Sequence, residues 1–70
     1  MKREIFRVKA IKEGKFYSIR FPDYPTLFTQ ATHVREIELM ARDVINLMLE
    51  VPLEEINLEV EFISPVAITL

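Results

Sequence analysis

Residues 21–30 read FPDYPTLFTQ, and the fold turns on how this stretch is parsed. Two prolines bracket an aspartate and a tyrosine. Pro22 cannot donate a ladder hydrogen bond, so a strand that reaches Phe21 has to end there. Pro25 biases Tyr24 toward an extended backbone. The residues that follow, Thr26 to Gln30, read as a short third strand. The stretch is thus a stiff corner between two strands, with Pro22, Asp23 and Pro25 as its structural residues. Its Pro-x-x-Pro spacing also fits a polyproline-type ligand, but a rigid turn inside a domain is the commoner use. Asp23 is expected to accept backbone N–H bonds within the turn.

On the N-terminal side of the corner, residues 4–12 alternate. Phe6, Val8 and Ala10 point one way, Arg7 and Lys9 the other, which is the period of a half-buried strand. Glu13-Gly14 marks a tight turn, and residues 15–21 resume the alternation, so the two segments form a hairpin. On the C-terminal side the period changes. Thr32 or His33 starts a helix, with Glu36 placed as its acidic partner. Val34, Ile37, Met40, Ala41, Val44, Ile45 and Met48 fall on one stripe, and Glu38 and Arg42 are spaced to pair at i,i+4. Pro52 implies a stop near Glu50. Residues 56–63, INLEVEFI, show the cleanest alternation in the chain: Ile56, Leu58, Val60 and Phe62 against Asn57, Glu59 and Glu61. The expected fold is α+β, strand-strand-strand-helix-strand, with one mixed sheet and one helix packed on one face. A right-handed crossover through the helix brings the fourth strand beside the first.

Seventy residues allow one domain, and half of them are hydrophobic, enough for a small core with a thin stability margin. The chain has no Cys and one His, so disulfides and thiolate metal sites are excluded and no cofactor is expected. No apolar run reaches the length of a membrane span, and the N-terminus does not read as a signal peptide. A cytoplasmic protein with no membrane partner is the expectation. Charge is segregated: residues 1–20 hold seven basic and two acidic side chains, residues 43–70 six acidic and none basic. Either the chain presents two surfaces of opposite sign, or its ends pair in the sheet, with Arg7 and Lys9 across from Glu59 and Glu61.

Catalytic chemistry finds little support. Glu4, Asp23 and Asp43 are the carboxylates to weigh for two-metal chemistry, but their expected positions do not converge. His33 at a helix start reads as a solvated or capping residue, and Ser18, Thr29 and Ser64 have no base in the pattern. No catalytic or metal residue is assigned, and the chain is not expected to be an enzyme. One alternative function is a nucleic-acid surface made of Arg7, Lys9, Lys12, Lys15 and Arg20 with Phe16 for stacking. Another is a structural oligomerisation module. The tail from Ser64 to Leu70 carries no charged side chain. With Val66, Ile68 and Leu70 it reads as an intermolecular strand of a homodimer, or of a tetramer.

The segment EGKFYSIRFPDYPTLFTQATHVREIELMARDVINLML, residues 13–49, resembles the N-terminal domain of HicB-family antitoxins. The shared features are the hairpin turn at Gly14, the FPDYP corner at 21–25, FTQ at 28–30 and the amphipathic helix from Val34. The chain departs at Thr26-Leu27, where the family often has a small pair, and at Ala31, where it often has Gly. The resemblance spans about residues 4–63, inside an expected domain of residues 1–63. It implies a partial ribonuclease-H-like sheet of strand order 3-2-1-4. It also implies a non-enzymatic protein that occludes a small basic ribonuclease toxin of the HicA type. Many relatives carry a C-terminal DNA-binding domain that this chain, ending at Leu70, is expected to lack, so DNA binding is not expected. Glu50, Glu54 and Glu55, an acidic run after the helix, are the candidate partner-binding residues, with a solvated loop as the alternative.

Overall fold

A computed structural model describes residues 4–63. Four strands form one mixed sheet: β1 (Glu4–Glu13), β2 (Phe16–Arg20), β3 (Phe28–Ala31) and β4 (Ile56–Ile63). One helix, α1 (Ile37–Leu49), packs on one face. The strand order is β3-β2-β1-β4, with β1 antiparallel to β2 and parallel to β4. The fold is α+β, as the sequence implies. The tail with Val66, Ile68 and Leu70 lies outside the described residues.

The alternation in β1 sorts its side chains as expected. Phe6, Val8 and Ala10 are buried toward the helix. In register with them stand Ile19 of β2 and Leu58 and Val60 of β4. Gly14 turns the hairpin with a left-handed φ of 65°, a conformation glycine adopts without the steric cost of a Cβ. The helix contributes Ile37, Ala41 and Ile45, all buried, with Met40 and Val44 half-buried against the same cluster.

The backbone of the corner differs from its expected form. Tyr24 N–H donates to the Phe21 carbonyl and Leu27 N–H to the Tyr24 carbonyl, both at 2.9 Å. Residues 21–27 are therefore two consecutive β-turns, each with proline at its second position, where the fixed proline φ is already correct. The second turn consumes Thr26 and Leu27, so β3 starts at Phe28 and not at Thr26. The corner also closes the core: Phe21 and Leu27 are buried, and the Tyr24 ring lies 5.9 Å from that of Phe6.

Three further expectations are corrected. The helix does not run unbroken from Val34: residues Val34–Glu36 form a 3₁₀ turn before α1. There the Glu36 carboxylate accepts from the Thr32 N–H and hydroxyl at 3.3 and 3.1 Å, while His33 makes no side-chain cap. Val34 and Met48, assigned to the buried stripe, are exposed at its two ends, because the stripe is longer than the sheet surface beneath it. Phe62 lies on the inner face of β4 as expected but is not buried there: it is 57% exposed while Ile56 is buried. A connection of only six residues ties the end of α1 to the start of β4, so the helix covers the N-terminal end of that strand and leaves its far end open.

Ile45 is fully buried and Leu47, two residues on, is 71% exposed. Ile45→Ala is expected to lower the unfolding free energy by about 2–5 kcal/mol. Leu47→Ala should change it by no more than about 0.5 kcal/mol. Urea titrations of the two variants check the helix orientation; comparable losses would overturn it.

Candidate functional site

Two surfaces carry the candidate binding residues. The first is the connection from α1 to β4. The helix ends at Glu50, whose φ of 57° and ψ of 39° are left-handed. After Pro52 the segment Leu53–Glu55 makes a 3₁₀ turn, closed by Glu55 N–H on the Pro52 carbonyl at 2.9 Å. Two helix side chains pin this segment. Asn46 Nδ2 donates to the Val51 carbonyl at 2.9 Å, and Arg42 Nη1 donates to the Ile56 carbonyl at 2.7 Å. Arg42 thus caps the connection and does not bridge to Glu38 as its spacing implied, because the Ile56 carbonyl lies within its reach. Glu50, Glu54 and Glu55 are all exposed on this fixed segment, and none forms an ion pair among the described residues.

Glu50 occupies a costly position. Left-handed backbone disfavours any residue with a Cβ, and glycine is the usual choice at the end of a helix. A carboxylate there also lies at the negative end of the helix dipole, and no basic residue sits in the last turn to offset it. The sequence pattern located the helix stop but held no sign of this conformation.

The second surface is the sheet face opposite α1. Arg7 stands in register with Glu59 and Lys9 with Glu61, as the pairing account of the charge asymmetry requires. The ion pair itself goes elsewhere: Arg7 Nη2 lies 2.9 Å from Asp23 Oδ1, with a second bond from Nε to Oδ2 at 3.3 Å. Asp23 is therefore a partner of β1 in place of the backbone acceptor expected of it. The corner projects its carboxylate over the open face within reach of the guanidinium. This bidentate bond raises the Arg7 pKa and holds the Asp23 carboxyl below its ordinary value, against the opposing effect of desolvation.

A cleft of about 260 Å³ opens between Arg7, Lys9, Pro22, Glu59 and Glu61. A neighbouring one of about 270 Å³ lies among Lys9, Arg20, Phe21, Pro22 and Pro25. The expected basic patch is divided. Arg7 is held by Asp23, and Lys12 turns to the helix side, 5.4 Å from the Tyr17 ring. Lys15 sits in the hairpin turn. Lys9 and Arg20 remain on the open face, the latter 6.0 Å from the exposed ring of Phe28. Among the described residues no group of three or more His, Asp or Glu side chains is placed to hold a metal ion, and no helix is long and apolar enough to cross a membrane. Glu4 begins β1, Asp23 is paired at the corner, and Asp43 is exposed on the outer side of α1.

The Asp23 carboxyl has its pKa depressed on folding, so its stabilisation is present above the ordinary aspartate value of about 4. It is lost as pH falls through the lower folded value. Asp23→Asn should melt below wild type at neutral pH, and the gap should close in acid. Thermal melts across pH 2–7, a range of roughly two units below and three above that ordinary value, check this. A gap unchanged at the acidic end would overturn the Arg7–Asp23 account.

No family model matches the chain, and no curated protein or solved structure matches it significantly.

Proposed function

We propose that this chain is a non-enzymatic, HicB-like antitoxin-type module that binds and occludes a small basic ribonuclease toxin through Glu50, Glu54 and Glu55. The sheet, read as a partial ribonuclease-H-like arrangement, is the scaffold for that acidic connection.

The observation that carries the reading is the conformation of Glu50. A charged residue is kept at a left-handed position and at the unfavourable end of a helix dipole. Strain of this kind concentrates where a side chain has a task. Glu54 and Glu55 stand on the same pinned segment, so the backbone beneath the three carboxylates needs little further ordering for binding. Preorganised negative charge raises the encounter rate with a cationic protein and fixes its orientation. The strand order β3-β2-β1-β4 and the doubled proline turn support the resemblance from which the partner class comes.

Glu50→Gly separates stability from function. It should raise the unfolding free energy by about 0.5–1 kcal/mol, the relief of left-handed strain less the extra chain entropy of glycine. It should also weaken inhibition of a co-purified HicA-type ribonuclease. The triple change of Glu50, Glu54 and Glu55 to Gln should slow toxin association about tenfold or more at low salt, a difference that narrows above about 0.15 M ionic strength. Unchanged inhibition by both variants would remove these residues from the interface. Failure of the wild-type chain to inhibit, with salt-sensitive RNA binding of its own, would favour the nucleic-acid reading around Lys9, Arg20 and Phe28.

A further inference from the structure

We infer that the outer edge of β4 takes up an extended segment of a partner protein, in which basic residues alternate with apolar ones, as a fifth strand of the sheet. This surface is separate from the acidic connection.

β4 is eight residues long and pairs only with β1 among the described residues. In any strand alternate residues turn their N–H and C=O groups to opposite sides, so β4 has a row of backbone donors and acceptors on its outer edge. The edge at the other end of the sheet is β3, with four residues, which offers half the length. Strand addition draws its affinity from such a row and its selectivity from the side chains on the two faces.

Those side chains define the occupant. On the open face β4 carries Asn57, Glu59 and Glu61; on the helix side it carries Leu58, Val60 and Phe62, the last 57% exposed. The one ion pair among the described residues joins Arg7 to Asp23. Glu59 and Glu61 are thus in register with Arg7 and Lys9 but held by neither in an ion pair. The inner neighbour already displays the complementary pattern, Arg7 and Lys9 opposite the two glutamates, Val8 and Ala10 opposite Val60 and Phe62. A strand with the same alternation on the outer edge would set its cations beside Glu59 and Glu61 and its apolar side chains over Phe62 and Val60.

A second copy of β4 is a poor occupant. Antiparallel pairing about a two-fold axis at Glu59, Val60 or Glu61 sets glutamate directly opposite glutamate, which is destabilising. The acidic row therefore discourages self-pairing while it leaves the edge open to a cationic strand.

The test uses the full chain and three labelled eight-residue peptides, matched to the length of β4. One alternates Lys and Val, one alternates Glu and Val, and one has the first composition in two blocks. The alternating Lys–Val peptide should bind and slow amide hydrogen exchange across residues 56–63. The blocked peptide should bind about tenfold or more weaker, equivalent to ~1.4 kcal/mol, and the Glu–Val peptide should not bind. Glu59→Gln with Glu61→Gln should cost the Lys–Val peptide about tenfold as well, while melting like wild type. Gln at 50, 54 and 55 should leave its binding unchanged, so failure of the toxin-binding reading and failure of this one are told apart. Equal binding of the alternating and blocked peptides, or protection at β3 in place of β4, overturns the inference. So does the absence of binding by a chain whose β4 amides are already protected, since the edge is then filled by the chain's own tail or by another copy.

Discussion

Parallel pairing of β4 with β1 is the constraint from which the rest of the molecule follows. Two parallel neighbours cannot be joined by a hairpin; the chain must cross over the sheet between them. Here the crossover starts from β3, at the opposite edge, and α1 carries it across the sheet. The helix therefore lies on one face, and the opposite face carries no helix among the described residues. β4 becomes an edge strand, and the link from helix to strand is short enough to be pinned by two side chains. The same pairing brings the basic N-terminal segment and the acidic C-terminal one together, so charges far apart in the chain become neighbours in the sheet.

Much of this was legible because it depends on period. Alternation at 4–12 and 56–63, the helical stripe read from Val34 to Met48 and the glycine turn each report a local geometry, which packing bears out for the stripe between Ile37 and Ile45. That Arg7 and Lys9 would face Glu59 and Glu61 followed from the crossover and the shared alternation, and the structure adds the register of Arg7 with Glu59 and Lys9 with Glu61. Features that depend on loop conformation were not legible. Asp23 reaches Arg7 because two successive turns aim it across the open face, and no spacing rule encodes that path. Arg42 turns to the Ile56 carbonyl because the connection passes within its reach, whereas the i,i+4 rule sees only its own helix. The exposure of Phe62 reflects where a crossing helix stops covering a strand. Alternation says which way a side chain points but not what lies above it.

The candidate site divides in the same way. An acidic run after the helix was visible as composition. What sets it apart is conformational: the left-handed backbone at Glu50 and the fixing of the segment through Val51 and Ile56. A solvated loop of three glutamates would relax to satisfy its own geometry. This one is flanked by backbone carbonyls that accept hydrogen bonds from half-buried side chains of α1, so the backbone positions from which its carboxylates project are fixed.

Negative charge also accumulates on one side of the molecule for a topological reason. Glu50, Glu54 and Glu55 lead directly into β4, which bears Glu59 and Glu61. All five thus lie on one edge strand or on the link that enters it. The cations in register with β4 stand on its inner side, in β1, and one of them is drawn off by Asp23. Like charges gathered on one edge destabilise the isolated chain slightly through mutual repulsion. That repulsion is relieved when a cation arrives from outside, so the gain on binding exceeds the direct contact energy of the arriving group. The sheet can bear the arrangement because β1 screens its interior side, while on the outer side no strand among the described residues pairs with β4. An edge strand that would otherwise invite indiscriminate pairing is in this way made selective by the sign of its charge.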